Sequence, residues 1–155
     1  MILSTDFDGV LHACEAQTAV PDIDTATPAQ LHAAGLFEHT GMLARLLEPY
    51  PSVRLLVHSA WRMTCSLERL RGVLGSLAPR VVGATNAALD RELSILAWLN
   101  EHGLDQRDVI VLDDQPELFQ RLLPRLVTCD ESLGLAAPAA LTRLSELLAA
   151  GRIDR

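Results

Sequence analysis

Met1-Ile2-Leu3-Ser4-Thr5-Asp6-Phe7-Asp8-Gly9 is the stretch on which the fold of this 155-residue chain turns. The apolar run predicts a strand of buried-sheet type from Ile2 to Phe7, and Gly9 then lets the chain turn sharply. Asp6 and Asp8 lie two residues apart where that strand runs out. If the strand continues, their side chains share a face. If it breaks at Asp8, one carboxylate projects and the following backbone folds over it. Either way, two carboxylates enter one small volume at the carboxyl end of a strand, the usual ligand crevice of an open α/β sheet. Two anions so close repel unless a cation lies between them, and oxygen donors suit a hard ion such as Mg2+. A solvated acidic turn is the competing reading, because Asp and Gly are ordinary turn residues.

Outward from this segment, strands and helices alternate. After an irregular stretch from His12 to His39, a helix is predicted from Gly41 to Glu48, stopped by Pro49 and Pro51. Val53 to His58 reads as the second strand, Ala60 to Leu74 as a helix, and Arg80 to Gly83 as the third strand. Leu89 to His102 has apolar residues at helical spacing and ends at Gly103. Val109 to Leu112 is the fourth strand, ending at Asp113-Asp114. A helix from Glu117 to Leu123, a fifth strand from Arg125 to Cys129 and a last helix from Pro138 to Ala150 complete the pattern. Such alternation implies an α/β fold of three layers, a doubly wound, mostly parallel five-stranded sheet covered on both faces. No internal repeat or linker divides the chain, so residues 1–155 are expected to form a single domain. Residues 12–41 are its one candidate lid or substrate loop.

Composition narrows the class. Hydrophobic residues make up 49% of the chain, which is that of a globular protein with a full core. The net charge of −7 offers no general field for capturing nucleic acid, although Arg45, Arg54, Arg62, Arg69 and Arg71 could form a local patch. Cys14, Cys65 and Cys129 are odd in number and far apart, which suits reduced thiols in a cytoplasm; Cys65 and Cys129 read as buried. No apolar run reaches the ~20 residues of a membrane span, and the first residues lack the features of a signal peptide. All 13 fixed positive side chains are arginine; the chain has no lysine.

Polar residues fall at the predicted strand ends. Ser59 follows the second strand, placed to cap the next helix or to donate its hydroxyl to an anion there. Arg62 lies in the first turn of that helix, where a cation does not help the dipole, so an anion or partner carboxylate is expected near it. In a doubly wound sheet the first and fourth strands can be neighbours, which would gather Asp6, Asp8, Asp113 and Asp114 around one crevice. Four acids there require a divalent metal or a protonated member. Asp114 could instead simply cap a helix beginning at Glu117. His12 and Cys14 flank the site, but two ligands do not make a zinc centre. His58 is expected to alternate away from Ser59, and Trp61 to be core or cleft wall. Asp22 and Asp24 read as loop solvation, and the Leu-rich final helix as core.

Asp6-Phe7-Asp8-Gly9-Val10, the strand-ending Ser59 in Val57-His58-Ser59-Ala60-Trp61-Arg62, a basic residue opening a later helix, and the acidic pair in Val109-Ile110-Val111-Leu112-Asp113-Asp114 resemble, in order and spacing, the four motifs of the haloacid dehalogenase (HAD) superfamily of phosphohydrolases. The resemblance runs from Ile2 to about Cys129. Ser59-Ala60-Trp61-Arg62, paired with Arg91-Glu92 and Trp98-Leu99, is more narrowly similar to small HAD domains of RNA-repair-like proteins. The resemblance implies a Rossmann-like HAD fold and a Mg2+-dependent phosphomonoester hydrolase. Asp6 would be the nucleophile, forming an aspartyl-phosphate, and Asp8 the general acid and base. Ser59 would bind a phosphoryl oxygen. Mg2+ would sit among Asp6, Asp8 and the Asp113-Asp114 pair, without a choice between the last two. The family places a lysine between phosphate and nucleophile. This chain has none, and Arg91, opening the helix after the third strand, is the candidate substitute, with Arg62 in reserve.

Two other functions could use the same residues. A phospho-accepting receiver domain needs a lysine that the chain lacks. A catalytically inactive HAD-like binding or regulatory module remains the alternative, although both acids of the first motif are present. No insertion is long enough for a substantial cap, so the nearly open site favours a phosphorylated macromolecular end, such as a nucleic-acid terminus, or a small phosphate ester.

Overall fold

In the computed structural model, residues 1–20 and 22–153 are described. Pro21 of the candidate lid, and Asp154 and Arg155 of the 1–155 domain, lie outside the described residues. Five strands, β1 (Ile2–Thr5), β2 (Arg54–Val57), β3 (Val81–Ala84), β4 (Val109–Asp113) and β5 (Leu126–Thr128), form one sheet in the order β3-β2-β1-β4-β5. Every pairing is parallel. The chain builds outward from β1 to β3, then crosses to start β4 on the other side of β1. The switch point of this doubly wound sheet therefore lies between β1 and β4, beside the Asp6 segment.

Register decides which side chains meet. Thr5 is level with Val57 on one side and Leu112 on the other. One step later, Asp6, His58 and Asp113 emerge together at the carboxyl rim. Because successive strand residues alternate faces, Leu3, Leu55, Val57, Ile110 and Leu112 enter one core cluster and Ile2, Leu56, Val109 and Val111 the other. The larger cluster packs against α1 (Pro28–Ala33), α2 (Thr40–Leu46), α3 (Leu67–Leu74) and α5 (Pro138–Ile153), through residues such as Leu31, Leu43, Leu70 and Leu144. The smaller one packs against α4 (Arg91–Glu101) through Ile95 and Leu99, with Phe119 and Leu122 beside them. Ser4, Asp6, His58 and Asp113 continue the alternation of this smaller face, so its apolar core gives way to polar groups at the rim.

Two expected helices differ. The predicted helix from Ala60 to Leu74 is broken: a 3-10 turn, Ala60–Met63, is capped by Ser59, and α3 starts afresh with Ser66 accepting from the Arg69 N–H. Ser66 supplies a new N-cap exactly one turn before the apolar run, and that local bond outcompetes a continuous helix. No helix spans Glu117 to Leu123. Short 3-10 turns, Pro116–Leu118 and Leu123–Arg125, stand there instead. Pro116 and Pro124 leave little room for an α-helix, and the Glu92 carboxylate accepts from the Gln120 and Leu122 N–H groups at 3.0 and 2.8 Å. The stretch from His12 to His39 is less irregular than expected. It holds a 3-10 helix, Cys14–Ala19, and α1, whose Thr27 and Gln30 form a capping box. Leu31, Leu36 and Phe37 of this stretch are fully buried in the larger core. Cys129 is buried, but Cys65 is only half-buried. Among the described residues, no helix is long and apolar enough to cross a membrane.

Candidate active site

The carboxylates at the rim fall into an inner and an outer pair. The inner pair is Asp6 and Asp113, 3% and 0% exposed. Asp6 leaves β1 with its N–H on the Leu112 carbonyl, at 3.0 Å, which ties it to the end of β4. Its Oδ1 accepts from the Phe7 N–H at 2.7 Å. Its Oδ2 lies 2.6 Å from Nη1 of Arg91, the same nitrogen that reaches both oxygens of Asp113 at 2.9 and 2.8 Å. Arg91 can do this because it is the first residue of α4, directly above this face, with Asp90 capping the helix behind it. Asp113 also accepts from the Gln115 N–H and, at 2.9 Å, pairs with His58 Nε2. The other His58 nitrogen is 2.8 Å from Ser4 Oγ, and the ring is fully buried.

The outer pair is Asp8 and Asp114, both half-buried. Asp8 Oδ1 is 2.8 Å from His12 Nε2, and the Trp61 indole N–H lies 3.3 and 3.2 Å from its two oxygens. Asp114 Oδ2 accepts from the Cys14 thiol at 3.3 Å. Between them stands Gly9, at φ +67°, where an added Cβ would come within 2.4 Å of Asp114 Oδ2. Glycine is required here twice over, by backbone conformation and by the approach of that carboxylate. The four sequence-predicted acids therefore converge on one crevice.

Charge follows from these contacts. Burial pushes the Asp6 carboxyl above its ordinary value, and the nearby Asp113 anion adds to this, against the pull of His58 and Arg91. Burial also acts to raise Asp113, but the His58 hydrogen bond and charge, together with Arg91 and the Gln115 N–H, outweigh it and hold Asp113 below the ordinary value. Asp114 is raised by burial and by Asp113 and Asp6, with only the Cys14 hydrogen bond in opposition among its side-chain contacts. Burial and the hydrogen bond to Asp114 push the Cys14 thiol up to about 12. Burial opposes the Arg91 charge, but Asp6 and Asp113 more than restore it.

Ser59 is fully buried at the end of β2, and its Oγ accepts weakly from the Trp61 N–H at 3.4 Å. Arg62 does not reach Asp6: its Nη1 donates to the His58 carbonyl and, at 2.9 Å, to that of Ser59. Of the two candidate arginines, Arg91 is the one in contact with Asp6. Three other arginines of the suggested patch also turn to backbone: Arg54 to the Pro51 carbonyl, Arg69 to Ile23 and Ala26, Arg71 to Val81.

The donor set fits a hard divalent cation at the outer edge. Asp6, His58 and Asp113 offer ligand atoms within 4.8 Å of one another, yet Arg91 Nη1 already bridges both carboxylates of that cluster. Asp113 has each oxygen engaged twice. Asp114 and Asp8 have a thiol, an imidazole and an indole as side-chain partners, so a cation approaching this edge competes with weaker bonds than those Arg91 makes.

His12, Cys14, Trp61 and His58 all touch a site carboxylate, and none was assigned that place from sequence. The available signal for His58 was its position two residues beyond Leu56, on the alternation that leads to Asp113; for His12 it was the four-residue step from Asp8. The sequence profile of one family, described as the HAD domain in Swiss Army Knife RNA repair proteins, matches residues 2–140. That covers most of the chain. Neither the curated proteins nor the solved structures that were searched give a match. The chain belongs to this family of HAD domains.

Proposed function

With membership of that family as premise, we propose that the chain is a Mg2+-dependent phosphomonoester hydrolase working through an aspartyl-phosphate. The observation that carries this reading is the Asp6 carboxylate at the switch point of the sheet, 2.6 Å from the Arg91 guanidinium and two residues before Asp8. An Asp6 oxygen attacks phosphorus and the bond from phosphorus to the ester oxygen breaks. Asp8 gives its proton to the leaving oxygen. Asp8 then takes a proton from water as that water attacks the acyl phosphate, which releases phosphate and restores Asp6. Arg91 neutralises charge between Asp6 and the phosphoryl oxygens, where a lysine is more usual, and the Ser59 hydroxyl donates to one of those oxygens. Mg2+, held by the Asp6 carboxylate, the Asp8 backbone carbonyl and Asp114, would offset the negative charge of the phosphoryl group and leave the Asp8 carboxyl free for proton transfer.

The family's description names RNA repair, which supports a phosphorylated RNA end as the substrate class. The absence of a wide cap and the internal use of most arginines favour a terminus over grip along a strand. Residues 12–41 border the outer pair and would contact the substrate. Purified protein should hydrolyse an aryl phosphate with Mg2+ and release phosphate from 3′- or 5′-phosphorylated oligoribonucleotides. Inertness toward all three substrates in millimolar Mg2+ would overturn the reading and favour the non-catalytic binding module.

A further inference from the structure

We propose that His12 is a positioning residue for Asp8, fixed in one tautomer by the Phe37 backbone, and that Asp8 Oδ2 is the oxygen that carries the transferred proton. The proposal rests on the reading of Asp8 as general acid and base. His12 is fully buried, with its two nitrogens engaged on opposite sides. The Phe37 N–H reaches Nδ1 at 3.2 Å. A backbone N–H can only donate, so Nδ1 must present its lone pair and Nε2 must bear the hydrogen. That hydrogen points at Asp8 Oδ1, 2.8 Å away.

Phe37 reaches this place in a conformation that only glycine adopts readily, at φ +60°. For a bulky residue, left-handed backbone is strained and persists only when its surroundings impose it. They do so here from both sides. The Phe37 carbonyl accepts from Thr40 N–H and Thr40 Oγ at 3.1 and 2.8 Å, and its ring meets Phe7 and Trp61 edge-on, each at 5.2 Å between centroids. A histidine that only filled space would not need a strained neighbour aiming an N–H at it.

The consequence for Asp8 is directional. Oδ1 takes the His12 hydrogen bond and one arm of the Trp61 indole; Oδ2 has the Trp61 arm alone, at 3.2 Å. The less engaged oxygen is therefore the one free to hold and deliver a proton. Residues 12–37 thus reach the chemistry from behind the carboxylate, through the core.

The test compares His12→Leu with His12→Gln, whose side-chain amide nitrogen lies near the position of Nε2, using an aryl phosphate with Mg2+. A misdirected reacting group costs on the order of 10²-fold. His12→Leu should therefore lose about that factor in kcat with little change in KM, and His12→Gln should recover most of it. If His12→Leu fails to fold, His12→Gln against wild type and the ring tautomer supply the answer. Imidazole 15N spectra of the wild-type protein should show the Nε2–H tautomer at His12. Full kcat in folded His12→Leu, or glutamine no better than leucine, overturns the positioning role while leaving an active wild type as proof that the enzyme reading stands. The Nδ1–H tautomer overturns the role whatever the activity. An inert wild type removes the enzyme reading and this role with it.

Discussion

Asp6 and Asp113, compared with Asp8 and Asp114, show how four like charges can share a crevice under two different regimes. The inner pair is buried; Arg91 bridges both carboxylates, and the His58 imidazole is hydrogen-bonded to Asp113 below. The outer pair is half-buried and held by an imidazole, an indole and a thiol. Two unit charges 4 Å apart interact by about 4 kcal/mol near a protein surface. The inner pair answers that repulsion with the chain's own cation. The outer pair has no such answer, and this is the physical reason to assign an added cation to it.

The largest effect expected from this comparison is on turnover. Asp6→Asn removes the proposed nucleophile and Asp8→Asn the proposed proton donor, and each should lower kcat on an aryl phosphate by about 10³ or more while the protein stays folded. Undiminished turnover in Asp6→Asn would end the assignment. Arg91→Ala should follow, with a loss of roughly 10² or more in kcat/KM. Arg91→Lys should keep part of the activity, because it keeps the charge but not the planar guanidinium whose Nη1 bridges the two carboxylates. Arg62→Ala, whose target is backbone carbonyl, should lose less than Arg91→Ala.

Stability separates the pairs next. Asp113→Asn removes a buried anion that Arg91 and His58 both depend on and should cost about 3–5 kcal/mol by denaturant melt. Asp114→Asn should leave the metal-free protein as stable as wild type or stabilise it, since it relieves repulsion. Mg2+ at about a hundred times its dissociation constant should stabilise the wild type by ~2.7 kcal/mol, and Asp114→Asn should lose most of that gain. Melts of the three proteins with and without Mg2+ would break the comparison if Asp113→Asn were harmless and Asp114→Asn still responded fully to the ion.

pH offers a smaller contrast with opposite signs. Asp113 is depressed, so its contribution is present above the ordinary carboxyl value and is lost as pH falls through its lowered one. Asp6 and Asp114 are raised, so their protonated forms favour folding below the ordinary value, and that support is lost as pH rises through the raised one. Metal-free Asp114→Asn should therefore lose less stability than wild type as pH rises from about 4, a difference that Mg2+ should erase. The smallest effect is at Gly9. Gly9→Ala should cost roughly 1–2 kcal/mol for its backbone alone, and the nearness of Asp114 predicts a weaker Mg2+ response besides.

Much of this was legible before any coordinates. The five strands stood out because each is a short apolar run between turn residues, and the acids because they fall at strand ends, where parallel sheets place their ligands. Arg91 was singled out because it opens the helix after the third strand, and the structure brings its guanidinium onto Asp6. What stayed hidden depends on register and tertiary contact. That His58 meets Asp113 requires knowing that β1 separates β2 from β4, and that His12 meets Asp8 requires the turn at Gly9. The broken helix near Ser66 and the missing one after Pro116 reflect competition from a serine cap and from Glu92, which lies far off in sequence.

The arginine bridge over Asp6 and Asp113 has a chemical corollary. A lysine in that place would be open to acylation, which erases its charge and would silence the nucleophile beneath it. With arginine as every fixed cation, the chain presents no side-chain amine to acetyl donors or amine-directed cross-linkers. Its vulnerability lies instead with vicinal dicarbonyls, which condense with guanidinium groups. At 19% side-chain exposure, Arg91 is only partly shielded from them.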